Sequence, residues 1–163
     1  MAKLKYVDNL VYPKEKEVIK FEGPEPFRLY GAMRKLLLDT FELAGKDIFE
    51  PQLKWDATGE TKYFFVKWNI AKSIDRWSKL ELSMTFQGSQ NSRTRLGDMS
   101  FSMKPKFVTE VEVGFLQRPF WWIFYRFFYR NQRVESFYRA KSIFNQFKAN
   151  VGAVYGMEPA PSE

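Results

Sequence analysis

The segment "MSFSMKPKFVTEVEVGF", residues 99 to 115, constrains the fold more than any other. Met99, Phe101, Met103, Phe107, Val111, Val113 and Phe115 share one parity; Ser100, Ser102, Lys104, Lys106, Glu110 and Glu112 share the other. Successive side chains of a strand point to opposite faces. The pattern therefore predicts a long strand, oily on one side and wet on the other, in an antiparallel sheet. Pro105 has no amide to give a ladder, which predicts a bend there or a place on the sheet edge.

Shorter segments repeat the alternation. Phe49, Leu53 and Trp55 form one set, Phe64, Val66, Trp68 and Ile70 a second, and Leu80, Leu82, Met84 and Phe86 a third. A charged segment, residues 14 to 22, is compatible with an edge strand through Val18, Ile19 and Phe21. Between it and the others, residues 24 to 45 carry Leu29, Tyr30, Met33, Leu36, Leu37, Phe41 and Ala44 at helical spacing. Pro24, Glu25 and Pro26 suit that helix's start, and Gly45 suits its stop. The first dozen residues give no clear signal.

The order read is β-α-β-β-β-β-α. It predicts one α+β domain over residues 1 to 157, with a curved antiparallel sheet of about five strands packed on a helix, a long C-terminal helix, and a disordered tail over 158 to 163. In topology this is similar to helix-grip (START-like) and cystatin-like architectures. That resemblance rests on element order and on no motif, and it does not fix function.

Histidine and cysteine are both absent. The usual general base, every nucleophile–histidine arrangement and thiolate zinc sites are thereby removed. Gly88, Gly97 and Gly152 make no phosphate loop. Glu110 and Glu112 lie side by side on one strand face, where like charge can raise a pKa, but they read as solvent-facing. The expectation is a non-enzymatic protein with no cofactor and no metal. No uncharged run approaches the ~18 residues needed to span a bilayer, and the start lacks a signal-peptide pattern. The expected place is the cytoplasm, with peripheral attachment to a membrane left open.

The net charge is +7, and residues 93 to 150 hold the whole excess: eleven Lys/Arg against four acids. An anionic partner is one explanation. The most unusual stretch, "RPFWWIFYRFFYRNQR" at 118 to 133, lies in that region. Eight of the eleven residues from Phe120 to Arg130 are aromatic. At about 100° per residue, Phe120, Ile123, Phe124, Phe127 and Val134 fall on one side of a helix. Phe137, Ile143, Phe144, Phe147 and Val151 fall nearly opposite. Either the helix breaks near Arg130–Arg133 or it sits between two apolar surfaces.

Four readings follow: core packing, self-association, an interfacial membrane anchor, and nucleic-acid binding. Arg126, Arg130 and Arg133 make one stripe, with Trp122 and Tyr129 each four residues before an arginine. These five are the expected contacts for a protein partner, a second copy or an anionic surface. Arg93, Arg95, Lys104 and Lys106 are expected anionic contacts, the features a nucleic-acid partner would use. The alternative is a cavity protein for a small hydrophobic ligand, with a pocket lined by Phe64, Trp68, Met84, Phe101 and Phe107.

Overall fold

The computed structural model describes residues 2–43, 48–114 and 118–157. The expected tail at 158–163, the stop at Gly45 and the strand end at Phe115 lie outside them. Strands β1 (Ala2–Asn9) and β2 (Glu17–Pro24) precede helix α1 (Arg28–Phe41). Strands β3 (Ile48–Asp56), β4 (Thr61–Ser73), β5 (Ser78–Asn91) and β6 (Leu96–Val113) follow. The chain closes with α2 (Arg118–Phe124), a π-helical segment (Tyr125–Tyr129) and α3 (Arg130–Val154). It is an α+β fold built on a curved antiparallel sheet in the order β1-β6-β5-β4-β3, with β2 also on β6.

The sheet has six strands, against about five expected from the sequence. The added one is β1, from the stretch without a clear signal. It pairs Ala2 with Val113 and Asn9 with Lys106, while β2 pairs Glu17 with Met103 and Pro24 with Leu96. Both strands therefore use the same side of β6, one after the other. Pro105 falls in the gap between them, so no ladder on that side asks for its missing amide. Its carbonyl instead accepts from the Leu10 amide. The proline is accommodated in a central strand, at a break in its neighbour.

The alternation holds in β4, β5 and β6, whereas in β3 a register shift between Phe49 and Gln52 sets Phe49 opposite Asn69, out of phase with Leu53 and Trp55, which lie opposite Val66 and Phe64. Phe64, Val66, Trp68 and Ile70 of β4, Leu80, Leu82, Met84 and Phe86 of β5, and Met99, Phe101, Met103 and Phe107 of β6 all point to one face and are buried. Helix α1 covers part of that face with Leu29, Met33, Leu37 and Phe41. It ends at Glu42, which takes the left-handed cap conformation (φ 53°). Helix α3 lies beside α1 and covers the rest with Ala140, Phe144, Phe147 and Val151. Rings interlock within and between the layers: Phe64–Phe86 at 4.8 Å on the sheet, Phe41–Phe147 at 5.1 Å between the helices, and Phe101–Phe147 at 6.5 Å from sheet to helix. A second, smaller core of Val111, Val113, Trp121 and Tyr129 sits at the far end of β6.

No helix among the described residues is long and apolar enough to cross a membrane.

Candidate functional site

The aromatic stretch sits at the end of the sheet formed by the β4–β5 turn and the last residues of β6. Three side chains hold it there. Trp121 and Tyr129 pack edge-on against Trp77, at 5.6 and 5.0 Å, and Tyr125 stacks on Tyr6 of β1 at 5.6 Å. These three are four residues apart. In an α-helix each such step overshoots a full turn by about 40°. The π-segment takes up the overshoot by lodging one more residue per turn. It therefore keeps Trp121, Tyr125 and Tyr129 in line with Ser136, Ala140, Phe144, Phe147 and Val151. Uniform α-geometry cannot give that alignment.

The other side of the stretch is left to solvent. Phe120, Phe127 and Phe128 are 72%, 68% and 70% exposed, and Trp122, Ile123 and Phe124 are exposed as well. Two of the apolar residues that follow in α3, Val134 and Tyr138, extend the same surface. The face formed by Phe120, Ile123, Phe124, Phe127 and Val134 is thus the outer one, and the face formed by Phe144, Phe147 and Val151 is the core.

The five expected contact residues separate. Arg126 lies over the Trp122 ring at 5.6 Å, both exposed, and Arg130 is exposed one turn on. Tyr129 is fully buried and cannot serve as a surface contact. Arg133 turns inward, because the π-segment rotates the second half of the stripe. It forms an ion pair with Asp8, donates from Nε to Thr109 Oγ1 (2.9 Å) and lies over the rings of Phe107 and Tyr6.

Arg133 begins a chain of hydroxyls. Thr109 Oγ1 is 2.7 Å from Ser78 Oγ, which is 2.7 Å from Tyr129 Oη, which is 3.1 Å from both carboxylate oxygens of Asp75. The ends fix its direction. Arginine only donates, so Thr109 accepts from it and donates onward; a carboxylate only accepts, so Tyr129 donates to Asp75. Each hydroxyl is polarised the same way between a cation and an anion. Asp75 also accepts from Ser136 Oγ and from the amides of Trp77 and Ser78, all at 2.7–2.8 Å. Burial alone would raise its pKa. The hydrogen bonds from Ser136, the two amides and Tyr129 outweigh burial and hold the carboxyl below its ordinary range. Burial, together with the Asp75 charge, pushes the Tyr129 phenol up.

Sequence reasoning missed Asp75, Ser78, Thr109 and Ser136. A signal was present at Thr109, a polar residue at an inward position between Phe107 and Val111. "SIDRWS" also contains an Asx turn, with Asp75 capping the amides two and three residues on. All members of this network are satisfied, so it reads as a fastener between α3 and the sheet.

The expected anionic contacts form no single patch. Arg93 and Arg95 lie at the β5–β6 hairpin, paired with Glu60 (3.4 Å) and Glu25 (3.2 Å). Lys104 and Lys106 lie on the open face of the sheet, beside a shallow cleft that Glu81 also lines. Glu110 on that face pairs with Lys3 at 2.6 Å. That hydrogen bond leads the causes that lower its pKa, so its pKa is lowered rather than raised. The five expected cavity residues, Phe64, Trp68, Met84, Phe101 and Phe107, are all buried in the core, where the four aromatic ones meet neighbouring rings. Among the described residues no cluster of carboxylates could hold a metal ion.

No family model and no curated protein matches this chain. Among solved structures it is similar to an uncharacterized protein from Rhizobium leguminosarum, at 11% identity over 88% of this chain and 97% of that one, with a TM-score of 0.20. A protein of unknown function from Staphylococcus aureus is similar at 13% identity over 82% and 98%, with a TM-score of 0.19. Likenesses of this size carry no argument about what the chain does.

Proposed function

We propose that the protein is a non-enzymatic binding protein that docks through the outer face of residues 120–130 onto an anionic lipid surface. The observation that carries the reading is the row of six large apolar side chains left in water on a helix fixed from behind by Trp121, Tyr125 and Tyr129. Exposed apolar side chains packed this densely mark an interaction surface. Arginine accompanies them, and between Arg118 and Arg133 there is no acid. Aromatic rings at the headgroup level with arginines beside anionic lipid fit that composition. A contact between two copies through this stretch sets Arg126 and Arg130 against their own kind with no carboxylate to pair them.

Sedimentation with vesicles tests this. The protein is expected to pellet with vesicles holding about 30% phosphatidylserine and not with neutral ones, and more at about 0.02 M than at about 0.5 M salt. Phe120→Ser with Phe127→Ser is expected to weaken partitioning by about tenfold or more. No pelleting at low salt removes the lipid reading, and a mass that rises with concentration in the wild type alone would assign the face to a second copy.

A further inference from the structure

The opposite end of the sheet carries a cleft of about 560 Å³, between the first turn of α1 and the β3–β4 and β5–β6 hairpins. Its size falls within the range of small-molecule sites. Aromatic rings form its walls: Phe27 stacks on Tyr30 at 5.0 Å and meets Trp55 edge-on at 4.8 Å. Arg28, Lys62 and Arg95 also line it, with Glu25 the one acid among the lining residues. Lys62 Nζ stands 6.0 Å from the Trp55 ring centre. The lining thus offers flat apolar surface with a surplus of positive charge.

Two further observations set this cleft apart from an ordinary surface dent. Gly31 lies inside α1, where glycine weakens a helix, and a Cβ built on it meets nothing within 4 Å. Packing does not demand glycine here; what its missing side chain does is leave the cleft open. At the rim, Glu25 (φ 49°) and Arg95 (φ 58°) both adopt the left-handed conformation that favours glycine. They are tied together by the Glu25 amide on the Arg95 carbonyl (2.7 Å) and by their side-chain ion pair. Strain of this kind gathers at binding sites.

We propose that this cleft binds a planar aromatic ring that carries a carboxylate or a phosphate. The ring lies against Trp55, Phe27 and Tyr30, and the anion is met by Lys62 and Arg95. The site is separate from the aromatic helix and does not depend on it.

Titration of the full chain by proton–nitrogen NMR is the test, following the Trp55 indole, assigned with Trp55→Phe, and the Gln90 side-chain amide. AMP and naphthalene-2-carboxylate are the probes, and adenosine and naphthalene-2-methanol their uncharged counterparts. At least one anionic probe is expected to give saturable shifts below about 5 mM, with its neutral counterpart about tenfold weaker or more. Binding by AMP alone assigns a nucleotide, and binding by the naphthoate alone an aromatic acid. Gly31→Leu fills the cleft from a helix position with open space and is expected to weaken binding about tenfold without lowering the melting temperature. Lys62→Glu provides the same test without touching the helix. No saturable shift with either anion, equal binding of the neutral probes, or unchanged binding in both variants overturns the proposal.

Discussion

Thr109 interrupts the oily parity of β6, and the interruption has an electrostatic reason. It is the first hydroxyl of the chain that joins the Arg133 cation to the Asp75 carboxylate, with Ser78 and Tyr129 between. Removing the acceptor end leaves buried donors without partners, which costs more than the bonds themselves contribute. Asp75→Ala is therefore expected to lower unfolding free energy by about 2–3 kcal/mol in urea titrations at neutral pH. Because the folded pKa of Asp75 lies below its unfolded value, its contribution is complete above the unfolded value near 3.8 and is lost as pH falls through the folded one. The loss of stability between pH 7 and pH 3 should accordingly be smaller in Asp75→Asn than in the wild type. At this scale little was legible. A lone threonine among hydrophobic residues signals a break in pattern, but its partners Arg133 and Ser78 lie 24 and 31 residues away in sequence.

Among the elements, the strands were legible because period-two alternation survives any register, and α1 because its stripe is a single face. The long C-terminal helix and its two opposed apolar groups were legible too, but Tyr129 and Arg133 were assigned to the outer stripe for a definite reason. Assigning faces at a constant turn per residue presumes constant geometry, and the π-segment at Tyr125–Tyr129 breaks it. A direct consequence can be measured. Deleting Phe128 removes the residue the π-turn accommodates, and an α-helical Tyr129 then stays in line with Trp121 and Tyr125. This deletion is expected to keep the helical circular dichroism signal and a cooperative melt. Deleting the exposed Gln132 instead rotates everything after it by about 100°, turning Phe144 and Phe147 out of the core, and is expected to abolish cooperative unfolding. Equal tolerance of the two deletions would contradict the proposed role of the π-segment. β1 was missed for a different reason. Tyr6 and Asp8 occupy its inward positions beside Leu4, so no clean alternation reaches the sequence, and only the pairing with β6 defines the strand.

Over the whole molecule, the fold class and the burial of one sheet face followed from the sequence, whereas the state of the core could not. Whether many phenylalanines fill a space or surround it depends on how closely the layers approach. Here they fill it. Phe101 is fully buried and meets Trp68, Phe86 and Phe147. Phe101→Ala is expected to cost about 3–5 kcal/mol, read as a shifted denaturant midpoint, as for a close-packed interior. A cost near 1 kcal/mol would instead indicate a lining residue with empty space before it.

Helix α3, 25 residues and so about 37 Å long, runs from the aromatic end to the neighbourhood of the cleft, where Tyr155 donates to the Pro26 carbonyl. The oily row and the cationic hollow thus occupy opposite poles. A copy seated on a bilayer by its rings would lay that helix along the surface and hold its hollow a helix-length to one side of the anchored rings. Cargo could then load and unload while the base stayed planted.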